Sequence, residues 1–390
     1  MRLYIALLFT FIQLNAQSGI ISGFISDSSS AEALIGANVI LQETGQGMAT
    51  DINGYYIIQD IAPGDYVLMV SYVGFKLKKE KLKISDGQSI KLDISLSEDV
   101  VELTQIEVTA EQIQRKSNIQ PSKINLSPRM MKAAPALAEP DLFRTIQALP
   151  GVLTTSEFST GLVIRGGNTD QNLILLDGVT VYNPSHLGGI FSNFIVDGVK
   201  EAELIKGAYN AEYGGRLSAV LNIISREGNQ KKFEGKANLS LLSAQATIEG
   251  PFYKGAWVFS GRRTYFDKIF QNVPTIPPYY FYDIQSHIYT DLTSKDRLSL
   301  SFYNGVDDLL FDTFGLTGRW GNRTVSAQYR RVFSEKLIGN FLYANSLFFT
   351  EFGLGGSNGL VSDNQIDDAT VAANFSWFKS SESTLKFGAQ

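Results

Sequence analysis

Read for its rhythm of apolar and polar positions, the chain falls into three regions behind a short apolar head. From about Gly19 to Leu96, brief apolar stretches recur: Ile20 to Ile25, Asn38 to Gln42, Gly54 to Ile58, Gly64 to Tyr72 and Ile90 to Leu96. Asn53-Gly54, Pro63-Gly64 and Asp86-Gly87 stand between them as turn signals, so the spacing predicts a small β-sandwich. From about Val100 to Asn229 the pattern is mixed. A polar stretch, Glu111 to Ser127, reads as a linker. A helix is expected over Asp141–Leu149, with Pro140 before it, Pro150-Gly151 closing it, and Leu142, Ile146 and Leu149 at helical spacing. Leu173 to Leu176 then forms an unbroken apolar run, as a strand covered on both faces requires. Asp177-Gly178 supplies the positive φ angles of a tight hairpin, and Val179-Thr180-Val181 returns with β-branched residues.

The third region, Phe233 to Gln390, alternates. Ile284, Ser286, Ile288, Thr290 and Leu292 share one face, against Asp283, Gln285, His287, Tyr289 and Asp291 on the other. Leu298, Leu300 and Phe302 oppose Ser299, Ser301 and Tyr303; Val371, Ala373, Phe375 and Trp377 oppose Asn374 and Ser376. This period of two predicts strands with one apolar and one polar face. A membrane barrel with a wet lumen needs that pattern, and a soluble sandwich shows it too. Connection lengths separate the two. Short turns near Tyr253–Gly255, Ser294–Asp296, Ser334–Lys336 and Lys379–Ser383 alternate with long connections near Asp267–Phe281, Asp307–Asn322 and Gly353–Asp367. Short turns on one rim and long loops on the other are the outer-membrane arrangement. About eight strands are expected. The strand-like run Thr384–Ala389 stops at Gln390 without a turn, so the expectation is a C-terminally incomplete chain. The aromatics Tyr279-Tyr280-Phe281-Tyr282 and Phe348 to Phe352 are expected to form an interfacial belt.

Composition removes several function classes. There is no cysteine, so neither disulfides nor thiol chemistry enters. A net charge of −5 with scattered lysines gives no basic stripe for nucleic acid. The 25 Phe and 17 Tyr fit a strand-rich protein. Met1-Arg2, the apolar run Leu3 to Ile12, and Asn15-Ala16-Gln17 predict a signal peptide over 1–16, cleaved after Ala16. No later stretch reaches the ~18 apolar residues of a helical span. With only two histidines, and His186 followed by Leu187-Gly188-Gly189, no zinc peptidase centre assembles. Arg165-Gly166-Gly167-Asn168 lacks the Gly-Lys-Ser/Thr ending of a phosphate loop and precedes a strand. No metal or cofactor is expected, and no catalytic residue.

Two motif sets resemble known families. Leu34-Ile35-Gly36-Ala37-Asn38-Val39, Thr50-Asp51-Ile52-Asn53-Gly54-Tyr55-Tyr56, Pro63-Gly64-Asp65-Tyr66 and Ser71-Tyr72-Val73-Gly74-Phe75 resemble the carboxypeptidase-regulatory-like domain, a non-catalytic module. Ile164-Arg165-Gly166-Gly167-Asn168 through Leu173-Ile174-Leu175-Leu176-Asp177-Gly178-Val179, with Ile205-Lys206-Gly207-Ala208-Tyr209 through Tyr213-Gly214-Gly215-Arg216, resemble the plug domain of TonB-dependent outer-membrane receptors. The resemblance implies a mainly β protein: a signal peptide over 1–16, a sandwich over 19–98, a linker over 99–128, an α+β plug over 129–229, and over 230–390 the first part of a transmembrane antiparallel barrel of ~22 strands when complete.

The same resemblance implies roles. Glu102, Leu103, Thr104, Gln105, Ile106, Glu107, Val108 and Thr109 take the place of the TonB box, an extended segment that can add to the sheet edge of a periplasmic energy transducer. Arg165 and Arg216, within Gly166-Gly167 and Gly214-Gly215, are expected to anchor the plug to barrel carboxylates through their planar forks, together with the Asp177-Gly178 turn. The implied activity is uptake of a large or scarce solute across the outer membrane of a Gram-negative bacterium, the sandwich lying in the periplasm. Outer-membrane lipids, the transducer, an unknown solute and a lidding lipoprotein are the partners to consider; nucleic acid is not. Sandwich-extended receptors are typical of the Bacteroidetes, whose glycan importers usually read Leu-Lys-Asp-Ala where this chain has Ile205-Lys206-Gly207-Ala208, which leaves the solute open. The alternative is a secreted or surface β-sandwich interaction protein without transport.

Overall fold

The computed structural model describes residues 18–99, 122–134, 139–156, 159–273, 278–311, 315–355, 359–380 and 383–390. The signal segment 1–16 and the TonB-box candidate 102–109 lie outside the described residues. The chain divides into two compact units: one is the N-terminal sandwich, the other carries the plug and barrel strands.

The sandwich holds β1 (Gly19–Asp27), β2 (Asn38–Leu41), β3 (Gly47–Ala49), β4 (Tyr55–Ile61), β5 (Gly64–Ser71), β6 (Lys78–Ile84), β7 (Ser89–Lys91) and β8 (Ile94–Leu96). β4-β1-β7, with β8 also on β1, makes one sheet, and β3-β2-β5-β6 the other. Ile21, Ile25, Val39, Leu41, Tyr56, Ile58, Leu68 and Val70 meet between them. Two strands escaped the periodicity. β3 is only Gly-Met-Ala, and β6 reads Lys-Lys-Glu-Lys-Leu-Lys-Ile, an edge strand whose charges mask its alternation.

The plug contains β9 (Lys123–Leu126), α1 (Pro128–Ala133), α2 (Leu142–Gln147), β10 (Val152–Thr154), β11 (Leu162–Ile164), β12 (Leu173–Leu176), β13 (Val179–Thr180), β14 (Ser185–His186), β15 (Phe191–Ser192), β16 (Val199–Ile205) and β17 (Val220–Ser225). Its five-stranded sheet has the order β13-β12-β17-β16-β9, with β12 and β17 parallel. The apolar run expected to be covered on both faces is β12. Asp177 and Gly178 have φ of 51° and 81°, so both central residues of the β12–β13 turn are left-handed, as a tight hairpin demands. The linker expectation for Glu111 to Ser127 is corrected at its end: Lys123–Leu126 pairs with β16. Its lysine and asparagine hid an alternating Ile124 and Leu126. Leu126, Met131, Leu142, Ile146, Val199, Leu204, Leu221 and Ile223 close the plug's own apolar core.

Nine strands follow in sequential antiparallel order: β18 (Glu234–Leu239), β19 (Ser243–Phe252), β20 (Gly255–Thr264), β21 (Tyr279–Asp291), β22 (Asp296–Phe311), β23 (Leu316–Ser334), β24 (Leu337–Leu354), β25 (Leu360–Ser380) and β26 (Ser383–Ala389). A short helix, α3 (Phe266–Ile269), lies between β20 and β21. The polar parity is buried against the plug: Ser243, Thr247, Glu249, Ser260, Arg262, Asp283, Gln285, Tyr303, Asp307, Asn322, Thr324, Ser326 and Ser346. The apolar parity is exposed, including Ile248, Phe259, Leu300, Val325, Tyr343 and Val371. This inversion of inside and outside is what a lipid-embedded barrel wall needs.

Two expected long connections are corrected. β22 runs to Phe311 and β23 resumes at Leu316; β24 runs to Leu354 and β25 resumes at Leu360. The Asp, Asn and Gly there read as loop chemistry, yet they sit on strand extensions paired residue by residue with their neighbours. The belt expectation is corrected for Tyr279 and Phe281, which are buried on the inner face. An aromatic cluster instead joins Tyr329, Phe333, Phe341, Phe375 and Phe387, with neighbouring rings 5.2–6.2 Å apart.

Candidate functional site

The hairpin β14–β15 carries the plug's most deeply buried polar contacts with the strands. His186 is fully buried and pairs across the hairpin with Phe191. Its Nδ1 lies 2.7 Å from Asp307 Oδ2 and its Nε2 2.9 Å from Asp283 Oδ1. The ring stacks on Phe281 at 4.1 Å and 7°. Leu187 N donates to Asp307 Oδ1 at 3.0 Å and to the Tyr279 hydroxyl at 2.8 Å, and Tyr279 in turn donates to Asp307. Tyr303 donates its hydroxyl proton to Asp283 Oδ1 at 2.7 Å. Gly305 makes room for this. A Cβ there would fall 1.9 Å from the Tyr303 hydroxyl and 2.7 Å from Asp283 Oδ1.

Arg262 of β20 joins the same cluster. Its Nε and Nη2 donate to Asp283 Oδ2 at 2.8 and 2.5 Å, its Nη1 to Glu139 Oε1 at 2.7 Å, and its Nη2 to the Ser192 carbonyl at 2.7 Å. Glu139 Oε2 also accepts from Ser243 Oγ and Gln245 Nε2, each at 2.5 Å. Asp141 ties hairpin to helix: Oδ1 accepts from Arg144 N at 3.0 Å as the N-cap of α2, and Oδ2 from Ser192 N at 2.7 Å. A buried polar cluster of this kind holds its geometry because leaving any member unpaired is costly.

Further contacts line the rest of the plug. Gln328 Nε2 donates to the Asp177 carbonyl at 2.6 Å, Ser346 Oγ to the Thr180 carbonyl at 2.6 Å, and Gln285 Nε2 to Ser225 Oγ at 2.9 Å. Tyr182 donates from its hydroxyl to Asp368 Oδ2 at 2.9 Å. Where the plug leads into the strands, Arg226 makes a two-point pair with Glu249 at 2.8 and 2.7 Å. Glu227 lies 3.4 Å from both Lys200 and Arg297. Burial alone would raise the Glu227 carboxyl, but Lys200 and then Arg297 hold it down at about 2.

The contacts above are a stopper's contacts, and sequence comparison supports that reading. Residues 21–108 match a CarboxypepD_reg-like domain and residues 126–220 a TonB-dependent Receptor Plug Domain. A TonB-dependent receptor of Formosa agariphila is 30% identical over 250 residues, covering 60% of this chain and 23% of that protein. The TonB-dependent transporter Oar of Myxococcus xanthus is 24% identical over 229 residues, covering 55% of this chain and 21% of its own length. The plug of this chain is a TonB-dependent receptor plug domain. A ferric enterobactin receptor of Pseudomonas aeruginosa shares the fold, with a TM-score of 0.53 and 17% identity over 70% of this chain and 49% of that one. The chain thus spans about a quarter of the curated relatives and half of the solved structure.

Among TonB-dependent receptors the plug's glycine-rich arginines are the natural place to look for anchors. Here Arg165 is exposed, with φ of 50°, and forms no ion pair among the described residues. Arg216 is half-buried, donates to the Gly215 carbonyl at 3.1 Å, and stacks over the Tyr182 ring at 5.9 Å. Gly166, Gly214 and Gly215 are exposed, and Gly167 packs closely on Ser218. Asp177 is turned inward, accepting from Ser225 N and Oγ at 2.8 and 2.6 Å, and Gly178 sits beside Leu342. The structure therefore brings Asp177-Gly178 to the wall but not Arg165. His186 and Glu139 are what sequence reasoning missed. The usable signal was parity: Asp283 and Gln285 fall on the polar face of an alternating strand, so that face needed plug partners.

Proposed function

We propose that this protein is an outer-membrane active transporter whose plug closes a barrel of about 22 strands and yields to a periplasmic energy transducer. One observation carries the reading. The strand sheet is apolar outside and polar inside, and its polar face is occupied by a separately cored domain bound through hydrogen bonds and ion pairs. A soluble sandwich would bury the opposite face. Solute binds on the rim opposite the short turns, above the β14–β15 hairpin. The plug then shifts, and the solute enters the periplasm without chemical change. Energy comes from the inner membrane through the transducer, which pairs with the extended segment Glu102 to Thr109. Arg165 and Arg216 serve as further anchors to parts of the barrel wall beyond these nine strands. The sandwich lies in the periplasm, and a lipoprotein lid is a candidate partner on the outer face.

The test uses whichever labelled solute the host ceases to accumulate when this gene is deleted. Depleting the transducer is expected to abolish its uptake while leaving surface binding, and Glu107→Pro should do the same by breaking the added strand. Normal uptake without the transducer removes the reading; normal uptake in the variant removes only the segment.

A further inference from the structure

The buried titratable group that the import reading leaves without a task is His186. Both its ring nitrogens face carboxylate oxygens at hydrogen-bond distance, 2.7 Å to Asp307 and 2.9 Å to Asp283. An ionised carboxylate only accepts, so both contacts are satisfied only when both nitrogens carry protons. Neighbouring charge agrees. Asp283 and Tyr279 face the ring from β21, Asp307 and Tyr303 from β22 and Arg262 from β20, and Glu139 reaches the cluster through Arg262. With His186 charged, Glu139, Asp283 and Asp307 are set against two cations; with it neutral, against Arg262 alone. A buried excess of negative charge is strongly disfavoured.

The backbone beside it is strained. Asn183 and Leu187 have φ of 43° and 49°, and the left-handed region is unfavourable for a leucine. Leu187 is kept there by its N–H bonds to Asp307, which also holds the imidazole, and to Tyr279, which in turn bonds Asp307. We propose that His186 is the positioning residue of the seated plug: as an imidazolium it pins the β14–β15 hairpin to the strands, and loss of that charge lets the hairpin relax and leave. Burial opposes the charge, but Asp283 and then Asp307 outweigh it and raise the His186 imidazolium to about 9. The sign follows. The pin is at full strength below the ordinary histidine value of about 6.5 and is lost as pH rises through about 9. The consequence for gating rests on the import reading; the seating itself does not.

The chain has no cysteine, and Ser192 is fully buried with a hydroxyl that has no partner among the described residues. Ser192→Cys therefore reports hairpin opening through its maleimide labelling rate in outer-membrane preparations, taken as a ratio to exposed Thr317→Cys so that thiol ionisation cancels. Heat-modifiable migration confirms a folded barrel in every variant. The ratio should be low at pH 7 and climb through about pH 9. With His186→Gln it should be raised by roughly ten-fold or more at pH 7 and lose its pH step, and Asp307→Asn should move the step to lower pH. A His186→Gln ratio equal to that of the parent, or a step that Asp307→Asn leaves in place, overturns the proposal. Uptake has no part in this readout, so a protein that imports nothing can still show the step, and an importer can lack it.

Discussion

Arg262 bonds a wall carboxylate, a plug carboxylate and a plug carbonyl through four N–H bonds, one more than the three donors of an ammonium supply. Removing it strands Asp283 and Glu139 in a dry site. Arg262→Ala should weaken plug seating by roughly 3–5 kcal/mol, read as a lower urea midpoint for plug unfolding in a barrel that still shows heat-modifiable migration. Arg262→Lys should recover only part of the loss. Its neighbour Arg263 shows why such roles hide in sequence. Arg263 points outward and pairs with Asp267 at 2.9 Å, and nothing but strand parity separates the two. His186 was harder still, because its partners come from 97 and 121 residues away. Only topology brings them together.

At the scale of elements, what could be read was what local chemistry decides. The β12–β13 hairpin follows from an apolar run and Asp177-Gly178, and α2 from its flanking prolines and apolar spacing; both are present. β9 and the extensions of β22 to β25 were missed because their polar residues matched loop statistics while long-range pairing decided the outcome. β16 gives a prediction of its own. Burial, then the neighbouring Glu203 carboxylate, push Glu201 up to about 8, and its Oε2 has no partner among the described residues. A carboxyl raised in the folded state favours the protonated form. Its penalty is absent below the ordinary carboxyl range, grows as pH rises, and is complete above about 8. Glu201→Gln should therefore stabilise the plug at pH 9 and change little at pH 4, as measured by urea unfolding at the two values. Equal effects at both would show that the carboxyl ionises freely in the fold.

For the whole molecule, the decisive pattern is which parity faces lipid. Leu300 is 48% exposed and stands in the outward apolar row, while Ser301 faces inward beside His287. Leu300→Lys should cost roughly 2–4 kcal/mol of insertion stability near the bilayer midplane, lowering the yield of heat-modifiable barrel; Ser301→Ala should not. Equal yields would mean that this row does not meet lipid. The seam between the two domains has a different physics from either domain's interior. The plug keeps most of its oily residues enclosed around Leu204 and Ile223, and meets the wall mainly through amides, hydroxyls and charges, with a small ring contact of Phe191 on Phe281 and Phe194 on Tyr303. Water is able to take over those bonds one at a time. A pull on the plug therefore leaves its main hydrophobic core closed; it has to wet the seam and part those few rings, and the domain that comes away is still folded and ready to reseat.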